Sequence, residues 1–286
     1  MKKKKEKTIN ILDKEAPIGV FDSGVGGLTV FSEIKRILPN ESIIYFGDTA
    51  RVPYGPKSKP VIDRYSREIV SFLLHNKVKM IVIACNTSTA VVGKKLSEIL
   101  SIPIIGVIEP ACRLASSITM NGRIGVIGTR GTVKSRAYST RLKIFNKSFE
   151  VFQKACPLFV PMAEEGWTKG EVPTAVAKEY LTSLKKKDID TLILGCTQYP
   201  ILRDVISKFM GPKVNIIDSA TQTALAVKAC LKTLKGISET NEVKYSFNCS
   251  DSPKHFELTG NQFLDFKLEN VKKIKVWEYG TEIINL

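Results

Sequence analysis

Short, almost continuously apolar runs alternate along the chain with longer stretches in which apolar residues recur at roughly every third or fourth position. The short runs are typical of strands buried on both faces, and the longer stretches predict helices, among them Leu28–Leu38, Val61–Lys77 and Glu171–Lys186. Strands alternating with helices predict an α/β fold with mostly parallel sheets covered by helices. The predicted strands are Pro17–Phe21, Ser42–Phe46, Lys79–Ala84, Pro103–Val107, Arg123–Ile127, Asp190–Gly195 and Lys213–Ile217.

Two segments of the chain resemble each other. KMIVIACNTSTA (79–90) and DTLILGCTQYP (190–200) are both apolar strands followed by a cysteine and then a threonine. Ligands of parallel sheets bind beyond the carboxyl ends of the strands, where both cysteines fall. We therefore expect two similar three-layer α/β domains that face each other across an active-site cleft and contribute one thiol each. After about residue 240 the runs are shorter, and IKVWEYG (274–280) predicts a small β element or a closing helix.

The composition excludes several classes of protein. Of 286 residues, 43% are hydrophobic and 25% charged, which is ordinary globular usage and not that of a disordered or fibrous chain. No apolar run approaches the roughly 20 residues that cross a bilayer, so no membrane partner is expected. Lys and Arg outnumber Asp and Glu by 43 to 28, and part of the excess lies in MKKKKEK at 1–7. We interpret 1–16 as a solvated basic tail, in preference to a nucleic-acid arm or a signal peptide.

The cysteines and histidines point to a reducing compartment. None of the six cysteines forms a C-x-x-C pair, and the only histidines are His75 and His255. Neither a disulfide framework nor a metal cluster is indicated, so we expect a cytoplasmic protein without a bound metal.

Cys85 and Cys196 are candidate acid and base groups. A thiolate can take a proton near neutral pH, and a thiol can return one. Two thiols on opposite faces of a planar carbanion would invert a stereocentre, which is the reaction of a racemase. Two buried small hydrophobic residues or a redox disulfide pair are the alternative interpretations.

The first strand runs into a glycine-rich turn, FDSGVGGLTV (21–30). Its backbone N–H groups and the following helix N-terminus would suit a carboxylate or a phosphate. A dinucleotide fingerprint is the alternative, but its third glycine position is Thr29. Asp22 is predicted to bind an ammonium group or else to cap the helix, and Ser23 to donate to a carboxylate.

Three further motifs follow strands or apolar runs. GDTARVPYG places Tyr54 and Gly55 in a turn that could line a pocket or be an ordinary loop. GRIGVIGTRGTVKS repeats the anion-site pattern through Thr129 and Thr132, without the Gly-Lys-Ser/Thr of a phosphate loop.

CPLFVPMAEEGW adds two carboxylates, Glu164 and Glu165. One of them could reach the site, but a solvated pair on a loop explains the same residues.

Taken together, these motifs resemble those of the glutamate racemases within the aspartate/glutamate racemase family. They occur in family order from about residue 17 to the C-terminus, whereas aspartate and hydantoin racemases share the two cysteines but not the full set. The motifs that carry the resemblance are FDSGVGGLTV, GDTARVPYG, ACNTSTA, GVIEPA, GVIGTRGTV, CPLFVPMAEEGW, GCTQYP and IIDSATQTA.

The resemblance implies cofactor-independent conversion of L-glutamate to D-glutamate for peptidoglycan, with Cys85 and Cys196 as the two bases. It implies a first domain at 17–110 and 219–286 and a second at 111–218. Auxiliary roles in catalysis are expected for Asp22, Glu164, Glu165 and Gln198. The expected substrate contacts, with the two threonines of the second anion motif included, are Asp22, Ser23, Tyr54, Gly55, Asn86, Thr87, Thr129, Thr132, Thr197 and Gln198.

One position departs from the family pattern. The family has His two residues after the second cysteine, and this chain has Gln198. Gln cannot take up a proton in this pH range, so we expect it to keep the substrate contact and lose the proton assistance. The alternatives are a racemase for another amino acid such as aspartate, or a non-catalytic binding protein. A homodimer is expected for enzymes of this kind, and contact with nucleic acid or gyrase is the less favoured expectation.

Overall fold

The computed structural model describes residues 13–282. Residues 1–12 of the predicted basic tail therefore lie outside the described residues. Every strand pairing in this part of the chain is parallel. The strands are β1 Ile18–Asp22, β2 Ile43–Gly47, β3 Met80–Ile83, β4 Ile104–Gly106, β5 Arg123–Gly128, β6 Glu150–Ala155, β7 Thr191–Gly195, β8 Asn215–Asp218, β9 Tyr245–Cys249 and β10 Lys272–Lys273.

The strands form two sheets. One has six strands in the order β10-β9-β2-β1-β3-β4, and the other has four in the order β6-β5-β7-β8. The helices are α1 Leu28–Ile37, α2 Lys59–His75, α3 Asn86–Ile99, α4 Ile108–Ile118, α5 Arg130–Ser135, α6 Ala137–Phe145, α7 Phe159–Glu164, α8 Glu171–Lys185, α9 Arg203–Met210, α10 Ala220–Thr233 and α11 Pro253–Gly260.

The predicted α/β architecture with parallel sheets is confirmed. All seven predicted strands are present within a few residues of their expected bounds. Most are apolar runs buried on both faces, whereas the edge strands β4 and β8 are only partly buried. Strand β6 is not among the predicted strands. Its residues EVFQKA mix polar and apolar side chains without a regular period and are at most partly buried, since the strand lies at the edge of the four-stranded sheet. Near the C-terminus both expected forms occur, as β9 and β10 are followed by a 3-10 helix at Val276–Tyr279.

The chain leaves the six-stranded sheet after β4 and returns to it after β8. Helix α4 packs against α6 and β7 of the four-stranded sheet, whereas α10 packs against α1 of the six-stranded one. The division of the strands between the two sheets is therefore the one that two domains of this kind require. The exact domain boundaries, after residue 110 and before residue 219, stay a prediction. Within residues 13–282, no helix has the length and apolar character needed to span a membrane.

Candidate active site

The two predicted catalytic cysteines lie at the carboxyl ends of strands in different sheets. Cys85 follows β3 and caps α3, where its Sγ accepts a hydrogen bond from the Ser88 N–H at 3.4 Å and lies 3.7 Å from Ser23 Oγ. Cys196 follows β7, and its Sγ donates to Gln198 Oε1 at 3.4 Å. Their exposed fractions are 5% and 6%. Both thiols are thus enclosed in protein rather than displayed on the surface.

The environment keeps both thiols protonated in the free protein. Burial raises the pKa of the Cys85 thiol, the nearby Asp22 charge raises it further, and the Ser88 N–H opposes the shift. Burial likewise raises the pKa of Cys196, and the charges of Asp22, Cys85 and Glu164 add to the rise. The charge of Asp22 thus raises the pKa of both thiols, and the charge of Cys85 also raises the pKa of Cys196, so the two cysteines share one electrostatic environment. A cation bound at Asp22 would cancel one of the charges that hold both pKa values up.

Asp22 is a buried carboxylate whose recorded partners are all neutral. Its Oδ2 accepts from the Gly24 N–H at 3.1 Å, and its Oδ1 accepts from Thr197 Oγ1 at 3.4 Å across the junction of the two sheets. None of the ion pairs among residues 13–282 includes it. Burial raises its pKa, while the N–H groups of the turn partly oppose the rise. A carboxylate in this position is suited to a substrate ammonium group.

Asp22 does not cap helix α1, which was the alternative interpretation of this residue. Helix α1 begins after Gly27, and no side chain in the part of the chain that the structure describes caps its N-terminus. Gly26 is needed for a close approach, since a Cβ there would lie 2.6 Å from Thr197 Oγ1 and 2.8 Å from Gln198 Cγ. The glycine-rich turn therefore seats the Cys196 loop of the other sheet against it.

Three predicted threonines form a triangle of hydroxyl groups at the same junction. Thr87 Oγ1 lies 3.0 Å from Thr129 Oγ1 and 3.2 Å from Thr132 Oγ1, and the last two are 3.1 Å apart. Thr87 belongs to α3 and the other two to the start of α5. Next to Thr87, the Asn86 amide is buried, and its Nδ2 has no hydrogen-bond partner among residues 13–282. Hydroxyl and amide donors of this kind suit a carboxylate.

Of the two glutamates, Glu164 is the one that contacts a predicted site residue. Its Oε1 accepts from Gln198 Nε2 at 2.5 Å, and burial, together with the charge of Asp22, raises its pKa. Glu165 is exposed at the end of α7. Since Gln198 Oε1 accepts from Cys196, both polar ends of Gln198 are occupied by protein groups. The expected contact between Gln198 and substrate stays a prediction.

Tyr54 is held by a buried polar cluster that the sequence did not reveal. Its hydroxyl donates to Asp48, which is fully buried and also accepts from Arg51 Nε at 2.7 Å and Ser250 Oγ at 2.7 Å. A Cβ at Gly55 would lie 2.8 Å from Thr129 Cβ. The Tyr54 hydroxyl therefore anchors the loop, and Gly55 brings that loop against the second anion motif.

A pocket of about 400 Å³ opens beside these groups. Gly55, Thr129 and Glu164 line it, whereas the two buried cysteines are not among its lining residues. Its other walls are mainly apolar, from Val52, Pro53, Pro56, Pro157, Val160 and Pro161. Residues 13–282 show no cluster of three His, Cys, Asp or Glu side chains that could hold a metal ion.

Comparison with known proteins identifies the family of this chain. The model of the Asp/Glu/Hydantoin racemase family matches residues 18–228. The glutamate racemase of Geobacter metallireducens is 50% identical over 260 residues, which cover 91% of this chain and 96% of that protein. The chain belongs to the Asp/Glu/hydantoin racemase family, as its motifs predicted.

Solved structures within the family are similar throughout. The crystal structure of Francisella tularensis glutamate racemase in complex with D-glutamate matches with a TM-score of 0.88 and 39% identity, covering 93% of this chain and 100% of that one. Glutamate racemase isoform RacE1 of Bacillus anthracis matches with a TM-score of 0.89 and 42% identity, covering 91% and 98%.

Proposed function

We propose that the protein interconverts L- and D-glutamate without a cofactor and that its D-glutamate supplies peptidoglycan synthesis. The observation that carries the proposal is the pair of buried thiols, Cys85 and Cys196, which leave strands of different sheets and share the field of Asp22. The similarity to glutamate racemases, one of them solved with D-glutamate, supports glutamate as the substrate.

In the proposed reaction one thiolate removes the α-proton and the opposite thiol protonates the resulting carbanion. The C–H bond breaks on one face while a new C–H bond forms on the other, so a proton is gained by one sulfur and lost by the other. The reverse reaction exchanges the two roles. No change of oxidation state is involved, and the substrate keeps both carboxylates and its amino group.

Substrate binding itself would prepare the thiolate. The substrate ammonium would pair with Asp22, removing a negative charge that raises the pKa of both cysteines. The N–H of Ser88 would stabilise a Cys85 thiolate, since it already donates to that sulfur. The hydroxyls of Thr87, Thr129 and Thr132 would bind a carboxylate and support the charge that develops at the α-carbon.

Gln198 has a different role in this proposal from a histidine at the same place. It links Cys196 to Glu164 by hydrogen bonds and cannot itself become charged. Orientation of the Cys196 thiol is therefore preserved, while an adjacent titrating group is missing. The sequence led to the expectation that Gln198 gives Cys196 no proton assistance, and the proposal adds that Gln198 orients the thiol.

The test is circular dichroism of the purified protein with L-glutamate and D-glutamate, without added cofactor. The signal of either enantiomer should decay to zero, and Cys85→Ala or Cys196→Ala should abolish the decay. Cys230→Ala, which alters a half-buried cysteine of α10, should leave it intact. Decay with aspartate but not glutamate would overturn the substrate assignment, and no decay with either would overturn the proposed activity. The homodimer stays a prediction for light scattering to test.

A further inference from the structure

We infer that Tyr138 is a positioning residue that fixes the Asn86 side-chain amide across the junction of the two sheets, leaving its Nδ2 group to bind a substrate carboxylate. The inference rests on the proposed function and adds a residue that lies outside the site motifs. In the structure, one buried tyrosine contacts both the residue directly before Cys196 and the residue directly after Cys85.

Tyr138 bridges the two cysteine segments. It lies in the first turn of α6, which packs on the four-stranded sheet, and its ring and hydroxyl are fully buried. A Cβ at Gly195, directly before Cys196, would lie 3.1 Å from the Tyr138 ring. The hydroxyl of Tyr138 donates to Oδ1 of Asn86, directly after Cys85, at 2.6 Å. One side chain therefore spans from the end of β7 to the start of α3.

The backbone before Tyr138 explains how it reaches this place. Arg136 adopts a left-handed conformation, with φ of 56°, between α5 and α6. That residue ends one helix and redirects the next, since a non-glycine residue in this region cannot continue a right-handed helix. The turn places the Tyr138 side chain at the sheet junction while the Thr129–Thr132 segment remains beside Thr87.

The hydrogen bond fixes which end of the amide is free. A neutral tyrosine has one proton to donate, and Asn86 Oδ1 is the acceptor that receives it. The opposite end, Nδ2, is buried and has no hydrogen-bond partner in the described protein. Burial raises the pKa of Tyr138 well above its usual value, so the hydroxyl keeps its proton at physiological pH. Rotating the amide by half a turn would leave the tyrosine proton facing N–H groups instead of an acceptor.

A buried amide N–H without a hydrogen-bond partner lowers the stability of the folded protein. A ligand that accepts this hydrogen bond is the most direct explanation for it. Asn86 lies between Cys85 and Thr87, whose hydroxyl belongs to the predicted carboxylate site. A carboxylate would accept from Nδ2, whereas a cation would not. Tyr138 thus acts on the substrate through Asn86 and does not touch it.

The experiment is a double-mutant cycle on steady-state racemisation with Tyr138→Phe, Asn86→Ala and the double variant. Tyr138→Phe should lower kcat/KM by about tenfold, mostly through a higher KM, because a hydrogen bond that acts in both ground and transition states is lost. Asn86→Ala should lower it at least as much, and adding Tyr138→Phe to that variant should cause no further loss. Tyr199→Phe removes another buried hydroxyl, one that donates to the Cys156 carbonyl, and serves as the matched control for stability.

Independent losses that multiply in the double variant, or an unchanged KM in Tyr138→Phe, would overturn the inference. Should Tyr138→Phe fold poorly, Asn86→Asp keeps an acceptor for the tyrosine and replaces the N–H donor by a carboxylate oxygen, which would repel a substrate carboxylate. Its KM for glutamate should rise by more than tenfold; an unchanged KM would show that Nδ2 binds no carboxylate. Failure of the wild-type protein to racemise glutamate would instead refute the proposed function, and the same cycle could then be measured on glutamate binding by calorimetry.

Discussion

Gln198 and Cys196 are joined by a hydrogen bond in which the thiol donates to the amide oxygen at 3.4 Å. The other end of the amide donates to Glu164 at 2.5 Å, so Gln198 is held between a thiol and a carboxylate. Each end of the amide therefore has a protein partner in this arrangement. The hydrogen bond from Cys196 to Gln198 therefore orients the thiol, but Gln198 cannot exchange a proton with it.

Replacing Gln198 by histidine should restore a titrating neighbour. Gln198→His should raise kcat in the direction in which Cys196 removes the proton, by on the order of tenfold. The two enantiomers have equal free energy, so kcat/KM must stay equal in the two directions. The pH profile of kcat should gain a limb near an imidazole pKa of about 6.5. Unchanged kcat in both directions and unchanged pH profiles would contradict this role for Gln198.

Gly26 controls how closely the two sheets approach. A Cβ at this position would lie 2.6 Å from Thr197 Oγ1 and 2.8 Å from Gln198 Cγ, so Gly26→Ala must displace the Cys196 loop. Displacement of a catalytic group by about 1 Å can lower activity roughly a hundredfold, which is the expected loss. Gly93→Ala in α3 meets only an ordinary contact, 3.5 Å from Thr89 Cγ2, and should retain activity. Full activity in Gly26→Ala would show that the approach is not required.

The buried carboxylate of Asp22 should lower the unfolding free energy of the protein, although the proposed reaction needs it to bind the substrate ammonium group. Burial raises the pKa of this carboxyl group above its ordinary value, so the folded state binds the proton more tightly than the unfolded state does. The contribution of Asp22 to the unfolding free energy therefore falls as the pH rises from the pKa of the unfolded state through the pKa of the folded state. Asp22→Asn should lower kcat/KM by roughly a hundredfold or more, because the ammonium partner is lost.

The stability of Asp22→Asn relative to wild type should increase with pH over that window and then level off. Urea unfolding at a series of pH values measures this difference. A variant that is less stable than wild type at every pH, with a constant difference, would show that the Asp22 charge is compensated in the folded protein.

A buried ion pair ties distant segments together at the other end of the six-stranded sheet. Lys79 pairs with Glu41 at 2.5 Å, and both side chains are almost completely buried. Lys79 also donates to the Gly236 carbonyl at 2.9 Å, and Glu41 accepts from the Ser238 N–H. Lys79→Met would leave the Glu41 charge unpaired and should lower the unfolding free energy by about 3–5 kcal/mol.

The matched control for that prediction is Lys94→Met, which removes an exposed partner of Glu98 on α3. It should leave the midpoint of urea unfolding unchanged within error. Glutamate racemisation by folded Lys79→Met should remain close to wild type, because the ion pair lies away from the thiols. Equal midpoints for both variants would show that the buried pair contributes little.

The sequence predicted the parts of the fold that follow from local patterns. Strands such as Met80–Ile83 are apolar on both faces and are recognisable without any partner. The edge strand Glu150–Ala155 is half-buried and partly polar, so its pattern resembles that of a loop. Cys85 and Cys196 could be singled out because each directly follows such an apolar strand.

The partners of the site residues could not be predicted in the same way. Tyr138 and Asn86 are 52 positions apart, and Ser250 and Asp48 are 202 apart. These contacts depend on how the sheets pack, for which no local periodicity exists. Gln198 was identified from the family pattern, but its simultaneous contacts with Cys196 and Glu164 required the three-dimensional arrangement.

The central claim is that two thiols exchange protons on opposite faces of the α-carbon. Its most direct test is racemisation of L-glutamate in deuterium oxide, with deuterium at the α-carbon measured early in the reaction. Each thiol exchanges its proton with solvent, so D-glutamate should carry deuterium in full while the remaining L-glutamate stays unlabelled. D-glutamate that retains the original proton would show that a single group removes and returns it, and would contradict the two-thiol account.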